Sequence, residues 1–356
     1  MNICTLFNSY YLDKGLALYE SLVRTTNDLH LYILAMDDRC YDILCDLNYQ
    51  EVIPICLKDF ENEELLSVKP LRSVGEYCWT CTPWLIDYIM TRFSIVYCTY
   101  VDADMFFYSD PSVIITEMKD KDASVQVVEH RFDSYSAKRS ERKVGKYCVE
   151  FNTFKNDFNG RSLLNLWKYQ CLNKCTIKEG KGRYWGDQKY LDFWVEDYPF
   201  VISTEHIGLG LAPWNITTYD IIRNDNNTFF VSRYGRRDIL LCCHYESIFY
   251  IDKNLVDIHA VGSWKKRKDY FIIEHLYMPY LQKLHRIQNV LCEKYNIELM
   301  KKSHPDFRNR TVKERLLNYC YMVTRSNFFP SLFLYHLPRF IYKKRNIIKI
   351  IENTNR

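Results

Sequence analysis

The chain has 356 residues, 47% of them hydrophobic, and a formal net charge of +4. This length permits a sizeable core, either in one large α/β domain with an extension or in two modest domains. No window holds the roughly 18 uninterrupted apolar residues of a membrane span. The start, Met1-Asn2-Ile3-Cys4-Thr5, lacks the basic-then-apolar layout of a secretory signal. We therefore expect a cytoplasmic protein.

The modest net charge conceals an asymmetry along the chain. Residues 263–356 contain 20 Lys and Arg against 7 Asp and Glu, a net of +13. Residues 1–262 contain 28 against 37, a net of −9. The charge pattern indicates that a basic extension, 263–356, follows an acidic domain, 1–262.

The 14 cysteines are scattered singly through apolar runs, as small buried hydrophobes would be. A disulfide scaffold is therefore not expected. The one C-x-x-C, Cys78 to Cys81, has no second pair to complete four zinc ligands and no thioredoxin-like context, so we interpret it as packing.

The first hundred residues alternate short apolar runs with helical patterns. Four strands are predicted at Ile3–Phe7, His30–Met36, Val52–Cys56 and Ser94–Val101. Three helices are predicted between them: one with Leu12, Leu16, Tyr19 and Leu22 on one face, one near Tyr41–Leu47, and one opened by Thr82-Pro83 over Trp84–Arg92. This is βαβ order.

The rest of the chain continues this alternation up to Gly262 and then becomes mostly helical. Strands are predicted at Ala123–Val128, Cys148–Phe154, near Thr228–Ser232 and at Ile239–Cys243, helices over Gly160 to about Cys171, Asp187–Trp194 and Tyr277–Leu299, and a further apolar stretch around Phe328–Ile341. The predicted fold class is α/β, with a mainly parallel sheet flanked by helices and a basic helical extension.

Two aspartates end the strand that runs to Val101. Asp102 and Asp104 stand at its carboxyl end, where open α/β sheets bind their ligands. Carboxylates at i and i+2 on a turning segment offer hard oxygen donors to Mg²⁺ or Mn²⁺, and such an ion would also hold phosphate oxygens. The alternative is that these aspartates only begin a turn or cap a helix.

Several motifs, taken in order, make the chain similar to a known family. They are "TLFNSYYLDKGLALYESL", "EYCWTCTPWLIDYI", "YVDADMFFYSDP", "WGDQKYLDFW", "GLGLAPWN" and "CCHYES". Over most of residues 1–262 the chain resembles the GT-A-fold (Rossmann-like) glycosyltransferases. Within them it looks like the bacterial nucleotide-diphospho-sugar transferases related to glycogenin and to the retaining hexosyltransferases of lipopolysaccharide synthesis.

The resemblance implies a metal centre. Asp102-Ala103-Asp104 would bind the divalent ion and the nucleotide, and His244, which directly follows a predicted strand, would be the third metal ligand. A nitrogen ligand among oxygens favours Mn²⁺ slightly over Mg²⁺. The alternative for His244 is an ordinary histidine satisfied by backbone groups.

The resemblance also implies a nucleotide pocket at the exit of the first strand. Tyr11 would stack on uracil, and Asn8 or Thr5 would hydrogen-bond the edge of the base. The alternative is ordinary packing at a helix entry. Relatives direct a helix-borne arginine at the phosphates, which is not evident here, and Lys265, with Lys266 and Arg267, is the candidate replacement.

The sugar side of the site would contain Asp187, bonded to the sugar hydroxyls, and Gln188, near the reacting carbon; for Asp187 simple helix capping is the alternative. Glu150 and Asn152 end the strand that lines the sugar pocket. Relatives often have Asn-x-Gly where this chain has Cys148-Val149-Glu150, which is a departure from the family pattern.

Two further groups lie near the predicted acceptor side. The loop Gly208–Asn215 would bring the flat ring of Trp214 against an acceptor sugar, unless that ring is buried and structural. His130-Arg131 would meet an anion or remain a solvated basic pair.

The function implied is transfer of a hexose, with retention, from a nucleotide-diphosphate sugar, UDP-linked by preference, to a polysaccharide, lipopolysaccharide or lipid-linked glycan acceptor. Aromatic residues beside the basic cluster Arg339–Arg345 are typical of an interfacial anchor. Peripheral association with the cytoplasmic face of the inner membrane is therefore one expectation, and a packed helical hairpin is the other. No nucleic-acid partner is expected.

Two alternatives remain at this point. A sugar-1-phosphate nucleotidylyltransferase shares the sheet, but its Gly-rich, arginine-containing loop after the first strand is absent from Thr5–Tyr11. A non-catalytic protein that binds membrane or nucleic acid through the basic extension would leave Asp102, Asp104 and Asp187 without a role.

Overall fold

The computed structural model describes residues 1–134, 137–177, 184–252, 255–258, 270–299 and 347–349. The chain divides into two compact units, Met1–Glu246 with Gly262–Ile272, and Ser247–Val261 with Ile273–Arg356. The boundary predicted at Gly262 stays a prediction. None of the described helices combines the length and the hydropathy that crossing a bilayer demands.

The first unit contains twelve described strands. They are β1 (Asn2–Phe7), β2 (His30–Ala35), β3 (Val52–Cys56), β4 (Tyr97–Val101), β5 (Met105–Phe107), β6 (Val125–Glu129), β7 (Tyr147–Lys155), β8 (Val201–Ser203), β9 (Asp220–Arg223), β10 (Phe229–Arg233), β11 (Arg236–Ile239) and β12 (Cys242–His244).

Its described α-helices are α1 (Leu12–Thr25), α2 (Asp38–Leu47), α3 (Leu57–Phe60), α4 (Glu63–Val68), α5 (Val74–Phe93), α6 (Val113–Asp120), α7 (Ala137–Val144), α8 (Phe158–Asn173) and α9 (Trp194–Asp197). The alternation predicted for the first hundred residues is confirmed, and the predicted face of α1, with Leu12, Leu16, Tyr19 and Leu22, is buried.

Seven strands form one sheet in the order β3-β2-β1-β4-β7-β6-β8. Strand β7 runs antiparallel to both of its neighbours, whereas the other pairings are parallel. The predicted fold class, a mixed and mainly parallel sheet with flanking helices, is confirmed. Strands β1 and β2 are buried along five of their six residues each, because helices cover the sheet on both faces.

A continuous core joins α5, α8 and one face of this sheet. Phe154 of β7 stacks on Trp167 of α8 with ring centroids 5.9 Å apart, and Trp194 meets Trp167 edge-on at 5.4 Å. Cys81 lies in the same core and Cys78 packs against it, so the packing interpretation of the C-x-x-C is confirmed. All described cysteines are free thiols.

The predicted start of the third helix is wrong. Helix α5 begins at Val74, nine residues before Pro83, and contains that proline in its interior. A capping box starts the helix earlier: the Ser73 side chain accepts from the Glu76 N–H, and the Glu76 carboxylate accepts from the Ser73 N–H at 2.9 Å. This reciprocal cap and the buried face beyond it outweigh the cost of an interior proline.

Two other predicted elements differ. The segment after Asp187 forms a 3-10 helix, Gln188–Phe193, followed by the short α9, instead of one α-helix. The run Ile239–Cys243 is divided between the end of β11 and the start of β12. Strands β9, β10 and β11 form a separate antiparallel sheet.

The second unit contains β13 (Phe249–Asp252), β14 (Leu255–Asp257) and β15 (Ile347–Lys349), which pair into an antiparallel sheet. It also contains a π-helical turn, Ile273–Tyr277, that continues into the helix Met278–Tyr295. The amphipathic helix predicted from Tyr277 is thus present. The apolar stretch Phe328–Ile341 and the basic cluster Arg339–Arg345 lie outside the described residues.

Helix α8 offers a test of the fold. Asp157 caps it by accepting from the Gly160 N–H at 2.9 Å, and its other oxygen accepts from the Ser124 hydroxyl at 2.9 Å. We expect Asp157→Ala to lower the free energy of unfolding by about 1–2 kcal/mol in urea titrations. Asp157→Asn, which keeps a capping oxygen, should lose less, and equal losses would contradict the capping role.

The same carboxylate predicts a pH dependence. Partial burial raises the pKa of Asp157. The bonds from Gly160, Lys155 and Ser124 lower this pKa by a larger amount, so that the net shift is downward. A pKa depressed by folding stabilises the folded chain above the unfolded value of about 3.9. This contribution is lost as the pH falls below that value. Unfolding of Asp157→Asn should lack this part of the acid dependence, and an unchanged pH profile would contradict it.

Candidate active site

A short strand pair brings the end of the first unit back to the aspartates. Strand β12 pairs antiparallel with β5, and this register puts His244 opposite Met105. The Tyr245 N–H donates to the Asp104 carbonyl at 2.9 Å, which fixes the end of the pairing. His244 thereby reaches residues 140 positions earlier in the chain.

Asp102 and Asp104 lie in the tight turn between β4 and β5. The Met105 N–H closes this turn on the Asp102 carbonyl at 3.2 Å, and the Asp102 N–H donates to the Glu150 carbonyl at 3.1 Å. His244 Nε2 lies 3.0 Å from Asp104 Oδ1 and 3.8 Å from Asp102 Oδ2. One ligand atom from each residue falls within 4.8 Å of the others, which is close enough for a single ion.

His244 balances the negative charge of the two aspartates, and a divalent ion at this site would displace the proton from its Nε2. Burial raises the pKa of Asp102 to about 6, against the opposing effect of His244. For Asp104 burial also acts upward, but His244 and Lys14 lower its pKa to about 2. Burial lowers the pKa of His244, yet Asp104 and Glu150 raise it well above its usual value. Two carboxylates and an imidazole nitrogen are a donor set suited to Mn²⁺ or Mg²⁺.

Glu150 holds the other side of the His244 ring. Its Oε2 lies 2.5 Å from His244 Nδ1, and its side chain is fully buried. Among the described residues, Glu150 Oε1 has no hydrogen-bond partner. A carboxylate on Nδ1 fixes the ring orientation and leaves Nε2 for a metal. Glu150 therefore contacts the Nδ1 side of the His244 ring, and the two aspartates lie on its Nε2 side.

A second donor group overlaps the first. Ligand atoms of Cys148, Glu150 and His244 also lie within 4.8 Å of one another. Burial and the charge of Glu150 raise the pKa of the Cys148 thiol well above its usual value, which opposes the thiolate that a metal requires. His244 Nδ1 is already engaged by Glu150. The aspartate group is therefore the better metal site.

The sugar-side residues are buried with unsatisfied polar atoms. Both side-chain amide atoms of Asn152 and Asp187 Oδ2 have no hydrogen-bond partner among the described residues. Asp187 makes no side-chain cap to the 3-10 helix that follows it, so simple capping does not explain it. Burial, assisted by the charge of Asp102, raises the pKa of Asp187 to about 8. Asn152 lies opposite Tyr100, whose hydroxyl donates to Asp102 at 3.1 Å.

Gln188 is already engaged. Its Nε2 donates to the Val144 carbonyl at 2.7 Å, and its Oε1 accepts from the Cys148 thiol at 3.9 Å. These bonds tie the segment after Asp187 to the end of α7 and to β7.

The exit of β1 faces the same edge of the sheet. Thr5 is fully buried, and its hydroxyl has no partner among the described residues. Asn8 Oδ1 accepts from the Tyr10 N–H at 3.1 Å and so caps the 3-10 helix Ser9–Tyr11. The Tyr11 side chain is 42% exposed, which leaves a face of its ring open for stacking.

Lys14 is a site residue that the sequence patterns did not single out. It is 6% exposed, its Nζ lies 4.1 Å from the centre of the Tyr11 ring, and its charge acts on Asp104. The available signal was its place one helical turn after Tyr11, at the start of the helix that follows β1. It supplies a cation to the site, whereas Lys265, Lys266 and Arg267 lie outside the described residues.

The glycine loop supports the histidine. Trp214 is half-buried, donates from Nε1 to the His130 carbonyl at 2.9 Å, and meets the His244 ring edge-on at 5.4 Å. His130-Arg131 is not a solvated pair, since His130 is buried and stacks on Phe132, and Arg131 donates to the carbonyls of the loop at Leu209 and of Thr204. Burial lowers the pKa of His130 to about 4.

Glu150 yields a prediction for metal binding. We expect Glu150→Ala to weaken Mn²⁺ binding about 10- to 100-fold by calorimetry, because His244 loses the partner that orients it. Glu150→Gln keeps an oxygen that can accept from Nδ1–H, so it should retain most of the affinity. Wild-type affinity in the alanine variant would contradict this role.

Gly210 yields a second prediction. A Cβ there would stand 2.5 Å from Glu150 Oε1, at a backbone φ of +80°, whereas Gly235 has the same φ with nothing within 4 Å. Both alanine variants carry the left-handed strain of about 1–2 kcal/mol. Only Gly210→Ala should add about 1–3 kcal/mol of overpacking and weaken Mn²⁺ binding. Equal urea midpoints and equal metal affinities would refute the contact.

Two proteins of Bacillus subtilis (strain 168) are similar in sequence, and both are described as uncharacterized. YfnF is 32% identical over 216 residues, which are 60% of this chain and 71% of YfnF. YfnD is 27% identical over 285 residues, which are 79% of this chain and 88% of YfnD. The chain matches no model of a known protein family.

Similar solved structures are described as sugar transferases. The galactosyltransferase LgtC, in complex with donor and acceptor sugar analogs, has a TM-score of 0.44 at 11% identity, over 69% of this chain and 87% of LgtC. Mouse xyloside xylosyltransferase 1 has 0.40 at 12%, over 60% and 86%. GlyE of Streptococcus pneumoniae TIGR4 has 0.39 at 14%, over 58% and 47%.

YfnF is thus the relative that combines identity with coverage, at 32% over 71% of its own length. The chain belongs to the same protein family as YfnF.

Proposed function

We propose that the protein is a metal-dependent glycosyltransferase that moves a hexose from a nucleotide-diphosphate sugar, UDP-linked, to a glycan or lipid-linked glycan acceptor. The observation that carries this proposal is that Asp102, Asp104 and His244 come together at the carboxyl edge of the sheet. One ligand atom of each residue lies within 4.8 Å of the others, which is close enough to hold a single ion. That edge is where open α/β sheets bind nucleotides.

The unsatisfied polar atoms support a substrate rich in hydroxyl groups. Buried polar groups in proteins are nearly always hydrogen-bonded. Asn152, Asp187, Glu150 Oε1 and the Thr5 hydroxyl are exceptions among the described residues. Glu150 and Asn152 lie within β7, Thr5 lies within β1, and Asp187 precedes the 3-10 helix Gln188–Phe193. A bound sugar nucleotide carries enough donors and acceptors to satisfy such groups.

The nucleotide end of the donor would lie at the exit of β1. The open face of Tyr11 is suited to stacking on the base, and the Asn8 amide nitrogen remains able to donate to a base carbonyl. Lys14, whose Nζ lies over the Tyr11 ring and whose charge acts on Asp104, would contact the diphosphate. These roles leave Asp102 and Asp104 for the metal and Ala103 beside the nucleotide.

The chemistry requires that the negative charge of the departing diphosphate be met. A divalent ion on the aspartate group would act there as a Lewis acid. Lys14 adds a fixed positive charge, and Glu150 holds the His244 ring in place. Because the side chains are positioned before the substrate binds, their electrostatic effect costs little reorganisation.

Asp187 is the better candidate for hydrogen bonds to the transferred sugar, since the Gln188 amide is already bonded to Val144 and Cys148. Transfer with retention is carried over from the resemblance described above. The Trp214 ring, packed on His244, supports that histidine and can also border an acceptor sugar.

Thermal unfolding tests the metal-dependent donor site. UDP with Mn²⁺ at about 100 times the dissociation constant should stabilise the wild type by about 2.7 kcal/mol. For a chain of this size this corresponds to a rise in Tm of about 3–5 °C. Asp104→Asn should lose this rise in Tm. Asp38 is an exposed carboxylate paired with Lys58, and the control variant Asp38→Asn should keep the rise.

Hydrolysis of a panel of sugar nucleotides, with and without Mn²⁺, would then identify the donor. Equal stabilisation of the wild type and Asp104→Asn by UDP without metal would refute metal dependence. The absence of any nucleotide response in the wild type would refute the assignment as a sugar-nucleotide enzyme.

A further inference from the structure

Helix α7 is a strongly basic surface element of the first unit. Lys138, Arg139, Arg142 and Lys143 are all exposed, and Glu141 is its one acidic residue. None of the helix residues is buried, so apolar packing does not explain the helix. It forms part of the loop between β6 and β7, and β7 is the strand that carries Glu150 and Asn152.

This arrangement of cations costs stability. Lys138 lies four residues before Arg142, and Arg139 four before Lys143, so each pair places like charges on neighbouring turns. Within the described part of the chain, no carboxylate forms an ion pair with any of the four. Repelling cations with no carboxylate partner among the described residues are what an anionic ligand would neutralise.

The helix is attached to the candidate active site. The Val144 carbonyl accepts from Gln188 Nε2 at 2.7 Å, and the Glu141 carbonyl accepts from Lys189 Nζ at 2.7 Å. The Nζ of Lys143 lies 4.8 Å from the centre of the Trp185 ring, two residues before Asp187. The basic surface therefore lies at the rim of the site, beside the residue assigned to the transferred sugar.

We propose that α7 binds the negatively charged part of the acceptor, so that the acceptor is an acidic glycan bearing carboxylate or phosphate groups. This inference rests on the proposed glycosyl transfer. Lys143, whose Nζ lies over one face of the half-buried Trp185 ring, offers a charge to an anion, and the rest of that ring offers apolar contact to an adjacent sugar. With about 1.5 Å per residue, the eight residues of α7 cover about 12 Å along which further anions are met.

Carboxylate and phosphate groups would both pair with the lysine and arginine side chains of α7, and separate probes distinguish them. Fluorescein-labelled oligogalacturonate supplies carboxylates, a labelled glycerol-phosphate oligomer supplies phosphates, and a dextran oligomer of matched length supplies the neutral comparison. Anisotropy titrations of the full chain, with UDP and Mn²⁺ present, should give tight binding of at least one anionic probe. Equal affinity for dextran would overturn the proposal.

Paired charge substitutions locate the surface. Arg139→Gln with Arg142→Gln should weaken binding of the anionic probe about 3- to 30-fold, as expected for two exposed ion pairs. Its salt dependence should also decrease. The control, Arg236→Gln with Arg237→Gln in β11, removes the same charge from another exposed element and should change affinity less than about twofold. Equal losses in both variants would overturn the proposal.

Two further measurements separate the explanations. Melting of the α7 variant near the wild-type temperature excludes a folding defect, and Lys138→Gln with Lys143→Gln provides a second, independent pair. If anionic phosphatidylglycerol vesicles bind through α7 whereas the glycan probes do not, the surface is a membrane contact and the acceptor proposal falls. A wild-type chain that responds to UDP and Mn²⁺ but ignores both anionic probes would refute this inference while leaving glycosyl transfer intact.

Discussion

The hydrogen bond between Glu150 and His244 is the interaction on which the rest of the site depends. It joins β7, an interior strand of the main sheet, to β12, the last described strand of the first unit. His244 in turn lies against Asp104, so a buried carboxylate, an imidazole and a second carboxylate form one continuous chain. A buried charge is costly without a partner, and here every link neutralises its neighbour. The candidate metal site therefore combines two aspartates in the turn between β4 and β5 with a histidine that a buried strand residue holds in place.

Local patterns were sufficient to predict most of the main sheet. Runs such as Ile3–Phe7 and Val52–Cys56 are apolar because both faces of a parallel sheet are covered, and this constraint is visible in the sequence. The start of α5 was not predicted correctly, because Pro83 is a strong local signal for the beginning of a helix. The stabilisation that extends the helix to Val74 comes from a cap and from packing. The 3-10 geometry after Asp187 likewise reflects tertiary bonds of Gln188 that no period in the sequence records.

The site was predictable in its members but not in its arrangement. Asp102 and Asp104 follow a predicted strand, so their position could be predicted from the order of the elements along the chain. The contact of His244 depends on the register between β5 and β12, and a shift by one residue would turn the ring to the other face. Glu150 could be seen as a departure from the family pattern, but its place behind His244 could not. Lys14 was not predicted, because only its contact with Tyr11, one helical turn away, and its effect on Asp104 identify it as a residue of the candidate site.

The long separation between the aspartates and their histidine has a consequence for biosynthesis. When a ribosome has released only residues up to the end of β7, six of the seven strands of the main sheet are available, yet the imidazole that balances Asp104 and Glu150 has not been made. Those acidic groups must stay hydrated until β12 pairs with β5. Closure of the candidate site is thus a late, long-range step in the folding of the first unit.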